Sequence, residues 1–193
     1  WALVACVLSL WLYEGRSRAL LRLNAPHGWR LWVSLALVSA VAAALAAAIV
    51  RLARLKRRKR VTVRSQATAH APHTGDELAW WAAVSLSAGF SEELIFRGFL
   101  IWAFRPLLGL WGAAALSLIV FATAHAYHGV AGALAVGIVG AFLTLVVLIF
   151  GSLWPAVAMH VLVDLQQGFA AWLVLQKASG PEPVVTSPVP SST

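Results

Sequence analysis

Five runs of about twenty apolar residues, at about 31–50, 79–104, 107–127, 130–152 and 155–175, constrain this chain more than any other feature in it. Hydrocarbon about 30 Å thick takes about 20 residues of helix rising about 1.5 Å each. Lipid offers an open backbone no partner, so each run is expected to cross the membrane as an α-helix. A shorter run at 1–13 reads as the tail of a further span whose start lies before Trp1; it has neither the basic start nor the small-residue cleavage site of a signal peptide. The expected fold is all-α: a polytopic transmembrane bundle of about six helices, four of them forming a core in the C-terminal half. Composition agrees, with 61% of the 193 residues hydrophobic and 11% charged, far from the quarter-charged mix of a soluble domain.

The net charge of +8 is concentrated rather than spread, eight of the fifteen Lys and Arg lying between Arg51 and Arg64 in RLARLKRRKRVTVR. A basic cluster next to a span is retained in the cytoplasm and attracts anionic lipid headgroups. With no aromatic-interleaved basic surface beside it, membrane lipid is the expected partner and nucleic acid is not. Helix 31–50 then runs inward and the later spans alternate, leaving both ends cytoplasmic. The loop at 14–30, with Arg16, Arg18, Arg22 and Arg30 against Glu14, opposes this mildly, and the larger cluster is expected to govern.

The chain divides into N-terminal helices with their basic segment at 1–64, a polar linker at 65–77 containing Pro72 and Gly75, a helical domain at 78–176, and a Pro- and Ser-rich tail at 177–193 expected to be disordered. His70 and His73 fall in the linker, where solvation is the ordinary fate of a histidine. Arg105–Pro106, Tyr127–His128–Gly129 and Gly151–Ser152 with Pro155 mark the expected turns between spans. Ala133, Gly137 and Ala141 recur every four residues, which suits close packing of helices in lipid. Trp29, Trp32, Trp80 and Trp81 read as interface anchors, and Cys6 as a structural thiol in an apolar helix.

Between 78 and 175 the charged side chains are Glu92, Glu93, Arg97, Arg105 and Asp164, joined by His125, His128 and His160. Arg105 sits at a span end. For the others the bilayer charges about 2.5–3.5 kcal/mol per unpaired charge even on the lower scales, so such groups are expected to face one another or a wet cavity and to carry function. In EELIFR at 92–97, Glu93 and Arg97 are four apart and share a face, while Glu92 points about 100° away. Paired with Arg97, Glu93 stays ionised; Glu92, in a drier pocket, is placed to serve as a general base. Phe121 and His125 are also four apart, as are His160 and Asp164 on the last span. An imidazole there can steady an oxyanion or hold water, oriented by the carboxylate one turn on. Counting about 1.5 Å per residue from the outer ends puts Glu92, His125 and Asp164 near mid-membrane but His160 about 10 Å too high, unless the loop 151–155 dips inward or the helix ends differ.

EExxxR at 92–97, FxxxH at 121–125 and HxxxD at 160–164, in that order on hydrophobic helices, resemble the CPBP family of intramembrane proteases, also called the CAAX protease and bacteriocin-processing, or Abi, family, which includes the Ras-converting CAAX endopeptidase. The resemblance covers about 78–175. It implies that the core is catalytic, that Glu92 activates water with help from His125, that His160 and Asp164 stabilise the oxyanion or position substrate, and that Glu93 and Arg97 order the site. Many members carry Asn where this chain has Asp164, and an ionised Asp cannot donate to an oxyanion.

Zinc held by Glu92, His125 and His160 with an open position for water and a glutamate mechanism with no cofactor are both compatible with these motifs. The metal-free form is the one favoured here, because EExxxR commits one carboxylate to an arginine. HExxH, Gly-x-Ser-x-Gly around Ser85, Ser87 or Ser91, and paired-Asp motifs are missing from the sequence. The expected activity is hydrolysis of a peptide bond in a membrane-associated protein or peptide, prenylated in the eukaryotic relatives. The expected location is the plasma (inner) membrane of a prokaryote. A proton-coupled transporter would use similar residues but calls for inverted repeats with two broken helices, and a catalytically silent immunity or scaffold protein would leave Glu92 and His125 apart.

Overall fold

A computed structural model describes residues 1–57 and 71–175. Residues 58–64 of the basic segment, His70 of the linker and the tail at 177–193 lie outside the described residues. What is described is helical, with no strand: α1 (Ala2–Tyr13), α2 (Trp29–Arg57), α3 (Gly75–Glu92), a π-helical segment (Glu93–Leu100), α4 (Ile101–Ala124), α5 (Gly129–Phe150) and α6 (Trp154–Leu175), with 3₁₀ turns at Arg18–Leu21 and Ala126–His128. Because α3, the π segment and α4 follow one another with no loop between them, these make five separate helices and not the six expected. Four are long and apolar enough to cross a membrane, which makes this an integral membrane protein.

The two spans expected at 79–104 and 107–127 are thus joined at a kink with no loop between them, and it is not Arg105–Pro106 that turns the chain. Pro106 stays within helix, and the backbone departs from helical geometry at Gly109, with φ 67° and ψ 179°. Proline removes one N–H, which a helix near its kink tolerates, whereas reversing direction needs a positive φ that only glycine adopts freely. The reversal shows in Ser117, whose hydroxyl donates to the Phe96 carbonyl at 2.5 Å; along a straight helix those residues would stand about 30 Å apart.

Helix ends follow local chemistry. Thr74 caps α3 by accepting from the Glu77 amide at 3.2 Å, and Glu77 reaches back to the His73 amide at 2.6 Å, so the helix begins at Gly75, inside the expected linker. Gly151, in the left-handed region at φ 69°, closes α5. Ser152 accepts from the Trp154 amide and Pro155 occupies the first turn of α6.

The core joins both halves of the chain: Val4, Val7 and Trp11 of α1 and Leu21 of the following turn are buried with Leu94, Leu143, Val147, Leu153 and Met159. Leu153 donates its amide to the Arg22 carbonyl at 2.9 Å, and Ser152 and Leu153 are each 1% exposed. The loop before α6 is therefore buried beneath the 18–23 strap, and His160 stands level with Glu92 and Glu93, which it contacts, so the mismatch in height of about 10 Å expected from counting residues does not arise. Helices α3 and α6 pack closely because Gly89 has no side chain: a Cβ there would stand 2.5 Å from Val161 Cγ2. Trp81, expected as an interface anchor, instead turns inward, donating from its indole to the Asp164 carbonyl at 2.8 Å and covering Gly168. Trp29, Trp32 and Trp80 do point outward, as does Cys6.

Candidate active site

The site is built around a guanidinium that lipid would not tolerate unpaired. Arg97, 1% exposed, has its donors assigned on three sides: Nη1 to Glu93 Oε1 at 2.9 Å, Nη2 to the Gly140 carbonyl at 3.1 Å and Nε to Thr144 Oγ1 at 3.3 Å. Its planar face lies 4.1 Å from the centre of the Phe121 ring, a cation–π contact that gains strength away from water. A buried pair offsets its desolvation only so far as its remaining hydrogen-bonding capacity is met: each Arg97 nitrogen has a partner, while Glu93 Oε2 is buried without one among the described residues.

Glu93, fully buried, accepts at the same Oε1 from His160 Nδ1 at 2.9 Å. That bond places the hydrogen on Nδ1 and turns His160 Nε2 toward Glu92. His125 is oriented likewise from a different helix. It caps the end of α4, where the backbone leaves helical geometry (φ −97°, ψ 13°), and its Nδ1 meets the Phe121 carbonyl at 2.8 Å. This is the physical content of the FxxxH spacing: Phe121 covers Arg97 with its ring and fixes His125 with its carbonyl.

The two imidazoles converge on Glu92. Its Oε2 stands 3.8 Å from His125 Nε2 and 3.9 Å from His160 Nε2. Asp164 Oδ2 is 3.7 Å from the same His160 nitrogen. Glu92 Oε2 is buried and has no hydrogen-bond partner among the described residues. With its Nδ1 hydrogen on the Phe121 carbonyl, His125 turns Nε2 to that oxygen as an acceptor. The gap thus gathers acceptors and suits a species that donates hydrogens, such as water.

All of Glu92, Glu93, Arg97, His125, His160 and Asp164 meet in one cluster. His128 stays at its edge: it is exposed, tilted against Tyr127 and stacked at 6.1 Å on the outer side of His125, with no contact to the carboxylates. Gly140 and Thr144 were not legible as site residues: the four-residue stripe of Ala133, Gly137 and Ala141 runs one position away from the glycine that touches Arg97. The available signal was a Gly and a Thr four apart in an otherwise apolar helix. Ser85 and Ser91 spend their hydroxyls on the carbonyls of Trp81 and Ala88, and Ser87 accepts from the Trp1 indole.

A helical membrane protein that gathers buried carboxylates and imidazoles from the π segment region, α4 and α6 belongs to the class with polar chemistry inside the bilayer. Residues 74–166 match the family model described as type II CAAX prenyl endopeptidase Rce1-like, and this stretch, which holds the whole cluster, is a domain of the CAAX protease family. The chemistry of that class is endopeptidase cleavage of membrane-associated proteins. No curated protein and no solved structure matches the chain.

Proposed function

We propose that this protein is an intramembrane endopeptidase that hydrolyses a peptide bond of a membrane-associated, prenylated substrate with a water activated by Glu92 and His125. The observation that carries the reading is the buried, unpartnered Glu92 Oε2 facing His125 Nε2 at 3.8 Å. A water between them donates one hydrogen to each and presents its lone pair to a carbonyl carbon. Glu92 takes the proton as the C–O bond forms, and returns it to the amine when the C–N bond breaks. His160, holding protons on both nitrogens, steadies the tetrahedral oxyanion through Nε2–H, while Glu93 and Asp164 balance its charge. Asp164 acts through His160 and is a positioning residue, in keeping with a carboxylate that cannot itself donate.

Zinc with ligands at about 2.0–2.1 Å in tetrahedral array would hold Glu92 Oε2 and either imidazole nitrogen about 3.4 Å apart, and a water bonded to both at about 2.8 Å would hold them about 4.4 Å apart; the spacings of 3.8 and 3.9 Å lie between the two, and among the described residues no group of three such side chains is arranged to hold an ion. The residues thus fit that metal poorly, and no step is routed through it. The family match supports a prenylated substrate, and the basic segment between Arg51 and Arg64 supports a cytoplasmic placement of that end, in the plasma membrane of a prokaryote. The test is cleavage of a membrane-tethered prenylated peptide by Glu92→Gln and by His125→Ala. Each is expected to lose about 10²-fold or more; full activity in both contradicts the assignment.

A further inference from the structure

A second polar feature lies away from the cluster. Helix α5 runs 22 residues from Gly129, beside the His125–His128 turn, to Phe150, a length of about 33 Å. Gly151 therefore stands at the end of α5 far from that turn. There the 18–22 turn, Gly98, the start of α4 and Gly151 enclose a cavity of about 220 Å³, far above the about 10–15 Å³ that one water requires.

Two guanidinium groups line it, those of Arg22 and Arg105. Arg22 spends Nη1 on the Val147 carbonyl at 3.1 Å, which fixes the group in place and leaves its other donors unassigned among the described residues. Arg30 Nη1 lies close to Gly151, 3.2 Å from where a Cβ would stand. Among the described residues no ion pair involves Arg22, Arg30 or Arg105; the carboxylates are taken up by Arg16, by the start of α3 and by the catalytic cluster. Burial and the neighbouring Arg105 together hold Arg22 below its ordinary value. Two like charges drawn into one cavity without an acid repel each other, and an anion between them relieves the repulsion. Guanidinium forks match tetrahedral oxyanions with paired hydrogen bonds, while Leu20, Ile101 and Trp102 supply an apolar wall.

We propose that this cavity is a binding site for a phosphate-class oxyanion, either the phosphodiester of a phospholipid headgroup or free phosphate. The site is independent of the peptidase reading. The experiment uses the full chain in dodecyl maltoside and follows thermal unfolding against dihexanoyl-phosphatidylglycerol, inorganic phosphate, or chloride at matched ionic strength. Stabilisation by the lipid alone assigns a headgroup, and stabilisation by phosphate assigns the free ion; either supports the site. Arg105→Gln is the informative variant, because Arg105 is exposed and its loss leaves the Arg22–Val147 bond intact. It is expected to raise the half-saturating concentration about tenfold, the loss of one charge-assisted contact. Arg18→Gln, on the same turn but outside the cavity, should leave it unchanged. No stabilisation above chloride by either ligand, an unaltered response in Arg105→Gln, or equal losses in both variants would overturn the proposal.

Discussion

The Gly140 carbonyl accepts from Arg97 Nη2 at 3.1 Å, and a Cβ on Gly140 would stand 2.9 Å from that same nitrogen and from the Phe121 ring. One hydrogen atom in place of a methyl thus lets α5 approach the ion pair. Gly140→Ala is expected to cost about 1–3 kcal/mol through overpacking and to lower activity with it. Gly137→Ala, whose Cβ would meet Ala122 at an ordinary 3.5 Å, should leave thermal unfolding in detergent nearly unchanged. Equal melting temperatures for the two variants would contradict this packing.

The buried Glu93–Arg97 pair makes a different prediction. Arg97→Ala strands a carboxylate that is fully buried and is expected to destabilise by about 3–5 kcal/mol. Replacing both, as Glu93→Leu with Arg97→Met, should restore much of the stability. It should not restore cleavage, because His160 Nδ1 loses the carboxylate that orients it at 2.9 Å. Chemical denaturation and a cleavage assay on the same preparations separate the two effects.

Gly89 sets the distance between the helices that carry Glu92 and His160. Gly89→Ala drives a Cβ to 2.5 Å from Val161 Cγ2, so α3 and α6 must part. The expected outcome is a fall in kcat larger than any change in KM, since a misplacement of about 1 Å in reacting groups costs about 10²-fold. Val161→Ala removes the offending methyl, and the double variant is expected to regain part of the lost kcat. No rescue would mean that the spacing of these helices does not govern the chemistry.

Metal removal is expected to have no effect. Activity should survive dialysis against a strong chelator, and purified protein should carry no stoichiometric zinc by elemental analysis. Loss of activity on chelation with recovery on adding zinc would replace the water-bridged Glu92–His125 pair with a metal-held one.

Much of the site was legible in the sequence because lipid penalises stray polarity. Glu92, Glu93, Arg97, His125, His160 and Asp164 stood out as misfits, and helical spacing alone paired Glu93 with Arg97 and placed His160 beside Asp164. Legibility ended where position depends on the absence of a side chain or on a change of helical pitch. Gly89, Gly140 and Gly168 carry no polarity to mark them, yet each admits a neighbouring helix or ring. The π segment at Glu93–Leu100 obeys no hydrophobic period that distinguishes it from α-helix, although such segments recur at functional sites. Pro106 drew attention as a breaker while Gly109 made the turn, because a reversal of the chain needs positive φ more than it needs a missing amide. Trp81 looked like an anchor at a span end. Its indole hydrogen found a buried carbonyl instead, a choice set by the packing of α6 and invisible in the order of residues along α3.

The most direct measurement is a double-mutant cycle on kcat/KM with Glu92→Gln, His125→Ala and the combination. If both groups hold one water, each single change already forfeits its activation, so the double variant should be no slower than the worse single one, each being down by about 10²–10⁴-fold. Losses that multiply across the cycle, or a single variant with wild-type turnover, would show that the two residues do not act on a common water.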